Sequence, residues 1–223
     1  MLIRGEGCWI LSFDWIETCA HVKQRVEEEG FEVAGCSTAP ASYAPRRARL
    51  SREAGSLGLF NGLNMCFPGN FVFPMPSKDE LISLARAGGA SVFNRDISNP
   101  TSLARLAKEC LTTELSAPAD GPLYGANLLI IYDPKSKQQT SKSNAISGAP
   151  PRCDVDIHEG RLTSEVEELA IGARKILADQ GSESSVTNSC SDASRIVLLP
   201  ASWLIDCIAH YRILPAGQHN IPT

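Results

Sequence analysis

Arg46, Arg47 and Arg49 stand within four residues of each other in a stretch rich in Ser, Ala, Pro, Gly and Arg. A guanidinium presents a planar fork of donors that matches carboxylate and phosphate oxygens, so such a cluster can dock on an acidic or phosphate-bearing surface or serve nuclear import. The competing reading is a linker kept in water by its charges, with the arginine stems lying on the protein surface. Catalysis finds less support. His21, His158, His210 and His219 are scattered, and none adjoins a nucleophile motif of the G-x-S-x-G type. Cys153 and His158 lie five apart, but two ligands do not make a zinc site, which needs three or four. Neither a G-x-x-x-x-G-K-[ST] phosphate loop nor a G-x-G-x-x-G turn occurs. No catalytic residue, metal site or cofactor is expected.

The eight cysteines, Cys8, Cys19, Cys36, Cys66, Cys110, Cys153, Cys190 and Cys207, are widely spaced and form no C-x-x-C pair. Cys8, Cys19, Cys66 and Cys207 fall in apolar periodic segments, as small core residues do, which points to a reducing compartment, cytosol or nucleus. The 223 residues carry a net charge of -4, with 43% hydrophobic and 21% charged side chains, the balance of a globular protein of one large or two small domains. No apolar run approaches the roughly 18 residues that cross a bilayer, and Arg4, Glu6 and Asp14 interrupt the first apolar stretch. Neither membrane insertion nor secretion is expected.

The elements that must position these residues follow from hydrophobic periodicity. CWILS (8–12) reads as a short strand running into an amphipathic helix with Trp15, Ile16, Cys19 and Val22 on one face, started by Asp14 and ended by Gly30. Residues 34–58, with little periodicity, read as a linker. LFNGLNMCF (59–67) is strand-like. SKDELISLARAGG (77–89) is a helix with a Ser77/Glu80 capping box and a Gly88-Gly89 stop, and ASVF (90–93) is a second strand. NLLIIY (127–132) is almost wholly apolar, as expected for a strand buried on both faces of a parallel sheet. Residues 94–126 and 133–162 read as long polar insertions, with a short helix possible at 102–111. A helix over 163–179, weakened by Gly172, precedes the strand 195–199 and a closing helix in PASWLIDCIAHYRIL.

The end of the chain repeats its beginning. At an offset of 188 residues Trp15 falls on Trp203 and Cys19 on Cys207, while Ile10, Leu11 and Ile16 fall on Leu198, Leu199 and Leu204. Two copies of one module ending in the same way are therefore expected, with Trp15, Trp203 and Cys207 as core anchors.

The strand-to-helix ending with its inward Trp, and the Gly-Gly after the first helix, resemble the BRCT repeat, a small α/β module that often occurs in tandem in DNA-damage proteins. Residues 59–215 follow the BRCT order β-α-β-β-α-β-α through 63–67, 77–87, 90–93, 127–132, 163–179, 195–199 and 200–211. APRRARLSRE (44–53), SKDELISLARAGG, LLIIYD (128–133) and ASWLIDC (201–207) are similar to the tandem BRCT tail of a RING-type ubiquitin-ligase partner. The resemblance implies an α/β fold, a BRCT-type parallel sheet flanked by helices. It comprises one complete repeat at 59–215 and the C-terminal strand and helix of a preceding repeat at 1–33, joined by the linker 34–58 and followed by a tail at 216–223.

It also implies a non-catalytic nuclear binding module in double-strand break repair by homologous recombination. Its partners would be proteins of DNA-repair complexes and a nucleosome or histone surface. The phosphoserine pocket of tandem pairs is built from a Ser or Thr, a Gly and a Lys of the first copy, none of which has a counterpart here, and Ala201 stands where a peptide-binding relative has Arg. Phosphopeptide binding is therefore not expected. Met75 lies near the apolar pocket of such pairs, and Arg95 matches an Arg of the loop that reads ubiquitin-marked nucleosomes, although Asp96, Ile97 and Ser98 beside it do not match. The alternative is a truncated isoform or fragment without independent binding activity.

Overall fold

The computed structural model describes residues 8–95, 97, 99–112, 121–135, 160–180 and 195–216. Most of the 133–162 segment, the Cys153/His158 pair, Asp96, Ser98 and nearly all of the 216–223 tail lie outside the described residues. Four parallel strands, β1 (Asn64–Cys66), β2 (Ser91–Phe93), β3 (Ala126–Tyr132) and β4 (Arg195–Pro200), form one sheet in the order β2-β1-β3-β4. Met65 pairs with Val92 on one side and Leu129 on the other, and Ile131 pairs with Leu199.

The apolar run Leu128–Ile131 within β3 is explained by two separate cores. Successive side chains alternate across a strand, so Leu129 and Ile131 enter one cluster with Phe60, Met65, Leu81, Trp203 and Leu204, while Leu128 and Ile130 enter another with Leu103, Leu106, Ala107, Cys110 and Ala173. Helices α3 (Lys78–Ala87) and α6 (Ala201–His210) cover the first face; α4 (Pro100–Thr112) and α5 (Gly160–Gln180) cover the second. The sheet is a middle layer closed on both sides, the α/β architecture expected.

The local signals at α3 act as its sequence suggests. Ser77 Oγ accepts from the Glu80 N–H at 3.4 Å while the Glu80 carboxylate accepts from the Ser77 N–H at 2.8 Å. At the other end Gly89 takes φ +90°, which glycine adopts without a steric cost, and the Ala90 N–H returns to the Ala85 carbonyl at 3.0 Å. The Gly88 carbonyl accepts from the Phe60 N–H at 2.7 Å, and a Cβ on Gly58 would sit 2.4 Å from that oxygen. Entry into β1 is thus fixed against the exit of α3.

Four expectations need correction. The stretch read as a polar insertion at 94–126 contains packed core: the short helix anticipated at 102–111 forms as part of α4, which turns Leu103, Leu106, Ala107 and Cys110 inward at helical spacing, and Ile97 is buried with them. Gly172 is not a weak point but a close approach, because a Cβ there would lie 2.9 Å from the Pro100 ring. The residues after Cys36 contain a helix, α2 (Ala44–Glu53), begun by Pro45 in its first turn. Helix α1 (Asp14–Val22) ends at Lys23, in the left-handed region at φ 55°, and not at Gly30; Glu29–Phe31 forms a separate 3-10 turn. Before α1, the Ser12 N–H bonds the Phe31 carbonyl and the Val33 N–H bonds the Ile10 carbonyl. This apolar run therefore pairs antiparallel with its own downstream chain at the Leu11–Glu32 bridge and does not extend the four-stranded sheet.

The repeat is visible atom by atom. The Trp15 Nε1–H donates to the Val26 carbonyl at 3.0 Å, and the Trp203 Nε1–H donates to the Leu214 carbonyl at 3.0 Å. The Val26 N–H meets Cys19 Sγ at 3.4 Å, and the Leu214 N–H meets Cys207 Sγ at 3.3 Å. Lys23 and Tyr211, also at the shared offset, both close their helices with positive φ.

Candidate partner-binding site

Helix α2 turns Ala44, Pro45, Ala48 and Arg49 inward at the i, i+4 spacing of one helical face and leaves Arg46 and Arg47 exposed. The three arginines therefore have different surroundings. Arg49 donates from Nε and Nη2 to the two oxygens of Glu32, at 3.1 and 3.0 Å, and from Nη1 to Glu53 at 2.9 Å. Its guanidinium carbon lies 3.5 Å from the centroid of the Trp9 ring. The side chains of Arg49 and Glu32 are each 7% exposed. The hydrogen bonds to Glu32, ahead of those to Glu53, hold Arg49 still more firmly in its charged form. Arg49 is thus an internal clamp and not a surface cation, a correction to its grouping with its neighbours. Arg47 Nη1 donates to the His210 carbonyl at 3.4 Å, placing a cation at the negative end of α6. Arg46 faces solvent.

A second surface lies at the carboxyl ends of the parallel strands, where the loops after β1, β2 and β3 meet. In open α/β sheets this end, at the point where the strand order reverses, is the usual place for ligands. Here that point falls between β1 and β3. It is bridged by Asp133, 4% exposed, whose carboxylate accepts from the Val72 N–H at 2.8 Å and the Lys135 N–H at 2.9 Å. Met75, from the sequence set, is half-buried and packs on the first core. Arg95, on the loop after β2, is exposed and pairs with Glu109 of α4 at 2.6 Å. Above the rim stand Val72, 47% exposed, and Phe73, 90% exposed.

The structure therefore separates the sequence-derived residues. Met75 and Arg95 share the rim from which α6 departs, whereas Arg47 meets α6 at its far end. A ten-residue helix lies between them, about 15 Å long at 1.5 Å per residue.

The remaining singled-out residues are structural. Trp203 and Cys207 are fully buried, and Gly88 and Gly89 close α3, whereas Trp15, expected as a second core anchor, is only half-buried. Burial pushes the thiols of Cys66 and Cys207 up to about 12 and that of Cys110 to about 11, so they stay protonated. Glu32, Trp9, Asp133 and Phe73 were not found by sequence reasoning. The Arg49–Glu53 pair alone had a local signal, its i, i+4 spacing, and that becomes meaningful only once 44–53 is read as a helix. Among the described residues no group of three or more His, Cys, Asp or Glu could hold a metal ion, and no helix is long and apolar enough to cross a membrane.

No family model matches the chain. Three curated proteins are similar to part of it, each called BRCA1-associated RING domain protein 1. The Mus musculus protein is 39% identical over 90 residues, the Homo sapiens protein 37% over 90 and the Arabidopsis thaliana protein 31% over 91. These stretches cover 40 to 41% of this chain but only 10 to 12% of the relatives, so the chain matches about a tenth of their length. The similarity and the parallel α/β sheet together agree with a region like the BRCT tail of those proteins.

Proposed function

We propose that this chain is a non-catalytic, nuclear BRCT-type module that binds proteins and chromatin. It belongs to a partner of a RING-type ubiquitin ligase that acts in double-strand break repair by homologous recombination. The observation that carries this reading is the 31 to 39% identity, over 90 or 91 residues, with proteins whose names record association with BRCA1 and a RING domain. In this reading residues 59–215 form the second repeat of a tandem pair and 1–33 the closing strand and helix of the first. The 34–58 connection presents Arg46 and Arg47 to an acidic or phosphate-bearing surface of a nucleosome, while Arg95 and Met75 belong to the opposite rim.

The reading is tested by titrating the chain against unmodified and ubiquitin-marked nucleosomes across a salt series, beside an Arg46→Ala/Arg47→Ala variant. The expected result is salt-sensitive binding with a shallower salt slope in the variant, since each lost phosphate or carboxylate contact releases fewer counterions. Absence of binding by a cooperatively folded chain overturns it.

A second reading, a fragment without independent binding, is favoured by one observation: α1 and the Phe13 that precedes it leave Phe13, Ile16 and Val22 at 69, 55 and 42% exposure. Gradual thermal unfolding with strong binding of a hydrophobic dye supports the fragment; one sharp transition supports the module.

A further inference from the structure

We infer that the segment 8–36 acts as a brace for α2, with Arg49 as the positioning residue that sets the direction in which Arg46 and Arg47 are presented to a partner, an inference that deepens the reading above and rests on it. Three of the inward positions of α2 are Ala44, Pro45 and Ala48, buried but too small to fix how the helix is turned about its axis. Arg49 supplies that constraint. Its fork meets both oxygens of Glu32, its third nitrogen meets Glu53 one turn along α2, and the Trp9 ring lies against its flat face at 3.5 Å. A bidentate pair specifies direction as well as contact. Held this way, α2 must place Arg46 about 60° and Arg47 about 160° around the helix axis from the clamp, at 3.6 residues per turn. Arg47 therefore reaches the far side, where its Nη1 donates to the His210 carbonyl at the end of α6, and Arg46 stays in solvent.

The covalent path between brace and helix is equally tight. Cys36 and Ala39 exchange backbone hydrogen bonds at 3.2 and 3.0 Å, a Cβ on Gly35 would sit 2.0 Å from the Ala39 carbonyl oxygen, and the Tyr43 N–H closes on the Ala34 carbonyl at 2.6 Å. A buried ion pair is weak evidence for stability, since an apolar replacement of the same volume often does as well, but its bonds fix geometry. An arginine carries five N–H donors, so Arg47 can touch α6 and an anionic surface together. The helix that carries the two exposed guanidiniums is thus ordered before any partner arrives, which lowers the entropy cost of docking it.

The test is the nucleosome titration above with three further chains, Arg49→Lys, Glu32→Gln and Arg49→Lys/Arg46→Ala/Arg47→Ala, across the same salt series. Arg49→Lys keeps the net charge and removes the fork, and Glu32→Gln keeps the shape and removes one negative charge. Charge alone predicts unchanged binding for the first and tighter binding to a polyanion for the second. A brace predicts otherwise: both weaken by about three- to tenfold with a shallower salt slope, because Arg46 and Arg47 lose contacts that they make in the wild type. Added to Arg46→Ala/Arg47→Ala, Arg49→Lys is expected to change binding by less than about twofold, since nothing is left to position. Unchanged or tighter binding of Glu32→Gln, or an equal loss from Arg49→Lys in both backgrounds, overturns the brace and leaves the chromatin reading standing. A wild type that binds no nucleosome removes both. Thermal unfolding accompanies each titration, and should Arg49→Lys lose its main transition, Glu32→Gln carries the test alone.

Discussion

Arg49 contributes more to the fold than Arg46 and Arg47 together, although the three look alike in the sequence. Removing one partner of a buried pair strands the other charge, which costs about 3–5 kcal/mol, whereas exposed arginines change stability by about 0.5 kcal/mol or less. Urea unfolding of Arg49→Ala should show a loss near the lower end of that range, because Glu53 is half-exposed and solvates part of the deficit. Arg46→Ala should unfold like wild type. The thiols give a second residue-scale prediction. Cys66 has its pKa raised to about 12 by burial, against about 9 in an unfolded chain, so the unfolded state binds fewer protons between those values. Stability contributed by keeping this thiol neutral is complete below pH 9 and falls as pH rises toward 12, by up to about 1.4 kcal/mol per pH unit. Alkaline unfolding that begins earlier in wild type than in Cys66→Ala, once the cavity cost at neutral pH is subtracted, checks this. Cys36 behaves oppositely: a hydrogen bond with Thr38 lowers its pKa, and it is exposed, so a maleimide should label it well before Cys66, Cys110 or Cys207.

Elements are set by close approaches as much as by propensity. Gly172 lies inside α5, where replacement by Ala would gain about 1 kcal/mol on helix propensity alone. The added Cβ would lie 2.9 Å from the Pro100 ring, too close for either element to keep its place. Gly172→Ala is therefore expected to lower the melting temperature, and the double variant Gly172→Ala/Pro100→Ala to recover part of the loss. A higher melting temperature in the single variant would show that α4 and α5 do not pack this way. Ser77→Ala should cost about 1 kcal/mol through loss of the reciprocal cap, read as a shift in urea midpoint with unchanged slope.

At the scale of the whole molecule, the two ends repeat one motif in unequal settings. Ile16 is 55% exposed, while its counterpart at the shared offset, Leu204, is fully buried beneath the sheet and α3. The same hydrogen bonds therefore carry different weight: Trp203 fills a core that also holds Phe60 at a ring distance of 6.4 Å, and Trp15 closes a small unit clamped to the rest through Arg49. Trp203→Ala should remove about 3–5 kcal/mol and abolish cooperative unfolding of the main body. Trp15→Ala should loosen residues 8–43 and leave the main transition in place, a contrast that calorimetry and amide exchange can separate.

The sequence by itself determined the sheet-forming runs, the capped α3, the Gly-Gly stop and the repeat at offset 188, because each rests on local steric rules or on side-chain periodicity within one element. It also carried the parallel α/β class, since an almost wholly apolar NLLIIY has few other uses. Tertiary structure alone decided what each element faces. α2 stayed illegible because an Arg at one inward position, with only Ala and Pro at the others, mimics a solvated linker until Glu32 and Trp9, distant in the chain, close around Arg49. The helix at α4 was legible, but its place in the core was not, because its apolar stripe is short and its partners, α5 and the second face of β3, come later in the chain. The separation of Arg46 and Arg47 from Met75 and Arg95 likewise follows from the direction in which α6 runs back across the sheet. A one-dimensional pattern records which side chains share a face, and only the packed chain fixes how far apart two faces lie.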